Sequence, residues 1–383
     1  MRSRLRVGGA AAAFDAFWLR SALPERSSLR AVRNVSGVAK ERLIAAESAG
    51  PVEEAVNLSL RPDALEDYVG QATLKEKLSI TLQAVRARNE PMEHVLLHGP
   101  PGLGKTTLAH IIAKEMGTHC AITSGPALTK GADLVGTLTK LQHGDVLFID
   151  EIHRLPVAVE EFVYPAMEDF QIDFTVDSGM HAKTIALKLK PFTLIGATTR
   201  AGLLSGPMRS RFGIAHNLQF YTRGELLTIL ERSAGLLDLD MDAGGREAMG
   251  AIAGRCRGTP RIANRLLRRV RDYAQVKAAG RLDRAVVDEA LKLEGIDALG
   301  LDDLDRAYLG VIAKVYHGGP VGLEAVAATL GEDAGTLESV VEPYLLQLGF
   351  LARTRKGRHL TKAGADHVGF EAGEAGEGLF AGG

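Results

Sequence analysis

Cysteine is nearly absent: Cys120 and Cys256 are the two in 383 residues, far apart in the chain. Neither a zinc site nor a disulfide framework can be built from them, so a reducing, cytoplasmic setting is expected. Long apolar runs are missing as well. No uncharged stretch approaches the roughly 20 residues that cross a bilayer, which argues against an integral membrane protein. An excess of one charge is also lacking, since 46 Lys and Arg against 47 Asp and Glu leave −1. Whole-chain charge therefore selects no partner, and any nucleic-acid surface must be local. What is present, 46% hydrophobic and 24% charged residues, is an ordinary globular composition, neither collagen-like nor wholly disordered. The length fits two or three domains.

Residues 1–40 depart from that average. Eight basic residues (Arg2, Arg4, Arg6, Arg20, Arg26, Arg30, Arg33, Lys40) against Asp15 and Glu25 give +6. Such a stretch fits an organelle transit segment, or a start codon placed upstream of a chain that begins near Val38. Either way it is set outside the fold as a disordered extension.

From Val95 the pattern runs strand, loop, helix. Val95–His98, Val146–Ile149 and Phe192–Ala197 are short, continuous apolar runs, and Thr106–Met116 has helical spacing. Buried strands separated by helices indicate a parallel sheet covered on both faces, here spanning 41–222. One β-hairpin interrupts it: 172–176 and 184–189 alternate around Asp177-Ser178-Gly179. It is either an edge ribbon of the sheet or a protruding partner-binding arm. After Tyr221 helices take over, at 225–236, 246–256, 260–277 and 284–292, and read as a separate helical module over 223–296. Residues 297–370 read as three helices and a hairpin near 350–361. The Gly-, Ala- and Glu-rich tail 371–383 is expected to be disordered.

Chemistry concentrates in a few strings. Gly99-Pro-Pro-Gly102-Leu-Gly104-Lys105-Thr106 matches the phosphate-loop pattern. Its glycines let successive N–H groups face phosphate oxygens, Lys105 reaches the β and γ phosphates, and Thr106 meets Mg²⁺ at a helix start. Val146-Leu-Phe-Ile-Asp150-Glu151 ends a buried strand in two carboxylates. Asp150 suits the metal, and Glu151 suits a proton acceptor for the attacking water. No Asn is followed by Lys, so the guanine-specific Asn-Lys-x-Asp is missing and ATP is expected. Thr198-Thr199-Arg200 closes the third strand, where Thr199 can position water.

Arginines supply the rest. Arg209-Ser-Arg211-Phe-Gly213 is a surface charge pair, or in a ring ATPase the arginine offered to a neighbour's γ-phosphate. Thr259-Pro260 is an N-cap and first helical turn. The helix that follows bears Arg261, Arg265, Arg268, Arg269 and Arg271, either a solvated face or, at Arg261, a reach back to nucleotide. Arg353-Thr-Arg355-Lys356-Gly-Arg358 sits in the last hairpin with no acid between Phe350 and Ala365. Two helices and a basic ribbon suggest a winged helix lying on phosphates, the alternative being a solvated charge run.

Together LRP at 60–62, YVGQ at 68–71, GPPGLGKTT at 99–107, FIDEIHRL at 148–155, YPAMEDF at 164–170, GATTRAG at 196–202, RFG at 211–213, RGTPRIANRLLRRVRD at 257–272, GGPVGL at 318–323 and EPYLLQLGFLARTRKGR at 342–358 resemble the RuvB family over about 41–368. The resemblance implies an α/β P-loop AAA+ ATPase domain, a helical lid and a C-terminal winged helix. It implies a homohexameric, ATP- and Mg²⁺-dependent motor that drives Holliday-junction branch migration on duplex DNA in recombination, repair and the SOS response. The alternative is an AAA+ assembly switch of initiator or clamp-loader type. Nucleotide contacts fall on Leu60, Arg61, Gly102, Lys105, Thr106, Thr107, Glu168, Asp169, Phe170, Tyr221 and Arg261. Arg211 matches the arginine finger and Thr199 the sensor strand end. Arg353 and Arg358 match DNA-contacting arginines, the 172–189 hairpin the arm that docks RuvA, and RuvC joins in the resolvase complex. Residues 1–40 have no family counterpart, and Ala334 and Gly335 lie where relatives carry a basic residue.

Overall fold

Val146, Leu147, Phe148 and Ile149 are all fully buried, as a strand covered on both faces requires. They belong to a computed structural model that describes residues 58–175, 184–239 and 244–370. The N-terminal extension, the Asp177–Gly179 turn and the 371–383 tail lie outside those residues. The strands are β1 (Val95–His98), β2 (Cys120–Ser124), β3 (Val146–Asp150), β4 (Gln171–Thr175), β5 (Thr184–Lys188), β6 (Thr193–Thr198) and β7 (Ile214–Asn217). Five of them form one sheet in the order β2-β3-β6-β1-β7, every pair parallel. All the C-terminal strand ends therefore open on one edge, where ligands of such sheets bind.

The outer strands β2 and β7 carry no continuous apolar run. Edge strands bury less of each residue, and Ile214–Asn217 alternate between half-buried and exposed, so their sequence signal is weak. The hairpin pairs Gln171 with Lys188 through Thr175 with Thr184 as its own two-stranded sheet. It is not an edge ribbon of the main sheet. Ile172, fully buried, ties its base to the core on one sheet face.

Helices Arg223–Leu236, Gly245–Ala253, Pro260–Lys277 and Arg284–Leu293 follow. After Tyr221 the chain is helical, and its core is continuous with that of the sheet domain. One hydrophobic cluster runs from Leu74 and Val95 of the sheet domain through Leu230, Leu266 and Leu291. Thr259 occupies the N-cap position, yet its hydroxyl donates to Cys256 O (3.1 Å) rather than capping the helix. The basic helix is not a wholly solvated face either, because Arg265 is buried.

The C-terminal unit has its own cluster around Tyr308, Ile312, Val341 and Leu345. Helices Asp303–Lys314 and Leu323–Leu330 precede a ribbon of β8 (Leu351–Thr354) and β9 (Gly357–Leu360), a winged helix. The segment that reads as one helix from 336 to 348 widens into a π-turn over Leu337–Val341. Pro343 explains it, since proline has no N–H to give to the carbonyl four residues back. Arg257 and Asp305, both buried, form an ion pair that joins the lid to the winged helix, and Arg257 also donates to Gly300 O (2.9 Å). Removing one member of such a pair leaves an uncompensated buried charge, at about 3–5 kcal/mol.

Candidate active site

The β1 strand ends at His98, and the chain turns through Gly99–Gly104 into the helix Lys105–Met116. That turn needs left-handed backbone at Gly102 (φ 81°) and Gly104 (φ 96°), which glycine adopts without a steric cost. Space is short as well: a Cβ on Gly104 would stand 2.9 Å from the Tyr68 hydroxyl, and one on Gly102 3.2 Å from Arg261 Cβ. Tyr68 (3.3 Å) and Tyr221 (3.2 Å) both donate to Leu103 O, and Tyr221 also donates to Tyr68 (2.9 Å). Burial pushes the Tyr221 hydroxyl up to about 12, so it remains a donor. Tyr221 thus braces the loop through Leu103.

Lys105 is buried, and its ammonium donates to Gly99 O (2.8 Å) and Pro100 O (2.9 Å). Burial lowers its pKa to about 8, with Asp150 and Glu151 opposing and Arg261 assisting. Thr106 and Thr107 follow on the same helix turn. Arg261 lies against the loop, its N–H reaching Gly102 O (3.5 Å). Leu60 and Arg61 are held by Arg232, which donates to both carbonyls (3.2 and 3.0 Å). The Arg61 charge helps depress His110 on the phosphate-loop helix, after burial.

At the end of β3, burial raises the Asp150 carboxyl above its ordinary value despite the Glu151 N–H, which donates to Asp150 Oδ1 (2.9 Å). Glu151 sits at φ 47°, a left-handed conformation that costs a non-glycine residue on the order of 1–3 kcal/mol and recurs at functional sites. Thr199, just past β6, donates its hydroxyl to Glu151 Oε2 (3.0 Å). His153 Nδ1 lies 3.1 Å from the same oxygen and 2.8 Å from Thr198 Oγ1. Sequence reasoning passed over His153, Tyr68 and Arg232. A histidine two residues past a Glu was the one available signal.

Within one chain the remaining nucleotide candidates lie elsewhere. Glu168 ends the helix Val157–Glu168 and Asp169 and Phe170 follow it; its Met167 O contacts Nε2 of His94 (3.0 Å), the residue before β1. Arg211 lies three residues before Ile214 of β7, which pairs with Val95. Its guanidinium meets Glu168 (3.1 Å), donates to Pro207 O (2.7 Å) and stacks on Tyr164 at 4.4 Å. These four residues therefore occupy the edge opposite the phosphate loop. Four strand residues at ~3.3 Å each, about 13 Å, separate the two edges.

In the winged helix Arg353 and Arg358 are cross-strand partners, and both guanidiniums bond the fully buried Glu342. Tyr308 donates to Glu342 as well. The two arginines are thus ion-paired rather than a free charge run, Arg353 still exposed and Arg358 half-buried, while Arg355 and Lys356 at the ribbon tip are exposed as well. Glu338, on the π-turn, bridges Arg358 (3.8 Å) and Arg200 of the sheet domain (3.6 Å). Phosphate loop, lid and winged helix converge on a cleft lined by Pro101, Gly102, Phe220, Arg261, Val340 and Tyr344. Among the described residues no cluster of three His, Cys, Asp or Glu could hold a metal, and no helix is long and apolar enough to cross a membrane.

Comparison with known proteins accounts for all three units. The Holliday junction DNA helicase RuvB P-loop domain matches residues 60–218, the RuvB AAA lid domain 221–297 and the RuvB C-terminal winged helix domain 298–369. The Holliday junction branch migration complex subunit RuvB of Synechococcus sp. (strain WH7803) is 59% identical over 313 residues, 82% of this chain and 85% of that protein. The same subunit from Desulfosudis oleivorans is 56% identical over 82% of this chain and 90% of its own. The Thermotoga maritima RuvB Holliday junction branch migration motor superposes with a TM-score of 0.74 at 52% identity, over 82% of this chain and 99% of that one. With models in sequence order from 60 to 369 and identities this high, the chain belongs to the RuvB family.

Proposed function

We propose that this chain hydrolyses ATP to drive branch migration of Holliday junctions, as a ring of six subunits on duplex DNA. One observation carries the reading: the phosphate loop, Asp150, Glu151 and Thr199 share one sheet edge, while Arg211 with Glu168–Phe170 lies at the other. A single chain cannot bring them together, but a ring of identical chains does, one subunit's Arg211 edge facing the next subunit's phosphate edge. ATP then sits against Leu60, Arg61, Gly102, Lys105, Thr106 and Thr107, under Arg261. Its γ-phosphate is met by the neighbour's Arg211, with Glu168, Asp169 and Phe170 closing the seam. Glu151 takes the proton of the attacking water, and Thr199 holds that carboxylate.

Thr106 and Asp150 fit Mg²⁺: a hydroxyl and one carboxylate suit an ion that keeps waters and phosphate oxygens as its other ligands. When bound, it neutralises charge developing on the phosphate oxygens. Loss of the γ-phosphate releases Arg261, and with it the lid that the buried Arg257–Asp305 pair ties to the winged helix. Arg353 and Arg358, steadied by Glu342, contact DNA phosphates, which carry no sequence information, as a moving motor requires. The β4–β5 ribbon, a sheet of its own, docks RuvA, and RuvC joins in the resolvase complex. ATP-driven displacement of a four-way junction tests the whole reading.

Lys105 predicts a pH effect. With its pKa near 8, binding phosphate above that pH requires proton uptake. ATP affinity therefore falls as pH rises through about 8, by up to tenfold per unit. Isothermal titration between pH 7 and 9.5 measures it, and Lys105→Arg, always charged, flattens the dependence. A flat wild-type profile contradicts the assignment.

The wing predicts two separable effects. Arg355→Ala with Lys356→Ala lowers the salt slope of log K by roughly 0.9 for each phosphate pairing removed and leaves the melting temperature in place. Arg353→Ala with Arg358→Ala lowers both, because Glu342 is then left in the interior without its cations. Salt titrations on two unrelated duplexes beside thermal melts check this. Sequence-selective weakening would indicate base readout instead.

A further inference from the structure

Every donor to the Glu151 carboxylate among the described residues lands on one oxygen. Thr199 N–H (3.4 Å) and Thr199 Oγ1 (3.0 Å) both donate to Oε2, and His153 Nδ1 stands 3.1 Å from the same oxygen. An ionised carboxylate only accepts, so a ring proton on Nδ1 is the tautomer in which this approach is attractive. Nδ1 is also hydrogen-bonded with Thr198 Oγ1 (2.8 Å), which accepts from Arg200 N–H (3.0 Å). His153 is thereby fixed to the end of β6, with its side chain only 8% exposed.

We propose that His153 is a positioning residue for hydrolysis: with Thr199 it occupies Oε2 of Glu151, so that Oε1 is the oxygen that receives the proton of the attacking water. This rests on Glu151 being the proton acceptor. One rotatable carboxylate on a left-handed residue has two equivalent oxygens and several rotamers. Two donors from different elements reduce that freedom to one presentation. The neutral ring suffices, and burial, its largest influence, does hold His153 below the ordinary imidazole value. The ring neither binds nucleotide nor exchanges the transferred proton.

Steady-state ATPase of the full chain with His153→Ala, His153→Asn, His153→Gln and Glu151→Gln tests it. His153→Ala lowers kcat about 10- to 100-fold, the worth of one hydrogen bond to a charged group, with KM for ATP within about twofold. Asparagine places an amide N–H where Nδ1–H was and restores most of the rate. Glutamine, whose amide reaches the Nε2 position, does not. Wild-type kcat in His153→Ala, or a raised KM alone, overturns the proposal. Should the alanine variant unfold, equal rates for asparagine and glutamine overturn it. If Glu151→Gln turns over normally, the acceptor assignment itself fails and the proposal with it. If Glu151→Gln is inactive while His153→Ala is normal, only the role of His153 falls.

Discussion

Glu151→Gln stops ATP turnover and leaves ATP binding intact. The amide keeps the size of the carboxylate and can still accept from Thr199 Oγ1, which stands 3.0 Å from Oε2 in the wild-type chain. It has lost the ability to take a proton from water, a contribution of typically 10²–10⁴ in rate. The binding groups are untouched, since Lys105 and Thr106 lie on the phosphate-loop helix and Asp150 keeps the Glu151 backbone N–H, which the substitution leaves in place. ATP therefore stays on, rings accumulate, and DNA is held without being moved. Filter binding or titration with ATP beside a phosphate-release assay separates the two steps. Loss of binding together with turnover would mean that Glu151 serves the fold, as its left-handed backbone (φ 47°) alone would also suggest.

Arg211→Ala has the second large effect, and it acts between subunits. The side chain rests on Tyr164 and on Glu168, half-exposed contacts worth little to stability, so the variant folds. Each chain binds ATP normally, but the neighbour's γ-phosphate loses its cation, a rate reduction of roughly 10³–10⁵ where arginine fingers have been measured. Mixing variant into wild-type protein lowers activity more steeply than the mutant fraction, because one defective edge disables the next subunit's site. Activity that declines in proportion to that fraction would contradict an arginine acting across the seam.

How much of this was legible in the sequence depends on the range of each interaction. The phosphate loop and the Asp150–Glu151 strand end are local patterns, and both stand on the edge that their strands imply. Helix Leu323–Leu330 and ribbon β8–β9 follow from local periodicity. Long-range partners were not legible. Nothing near Arg353 announces that a carboxylate eleven residues earlier, Glu342, will be buried beneath it. Likewise Arg257, inside a string of basic residues, reads as surface charge until Asp305 meets it in the interior. The split of nucleotide candidates between two edges needed the sheet order: YPAMEDF and RFG are neighbours only because β1 pairs with β7 and the helix before β4 runs back across the sheet. The lid's shared core was hidden for the same reason, since periodicity shows that a helix has an apolar face and not what covers it.

The proposed function turns on whether ATP hydrolysis by this chain moves a DNA junction. Displacement of labelled strands from a mobile four-way junction, with ATP and RuvA present, measures it directly. Wild-type chain is predicted to dissociate the junction in an ATP-dependent way, with stimulation by RuvA, while Glu151→Gln binds the junction and does not dissociate it. An assembly switch of initiator or clamp-loader type would bind ATP and DNA and leave the junction intact in both proteins. Wild-type chain that hydrolyses ATP on DNA and leaves the mobile junction in place would rule out a branch-migration motor.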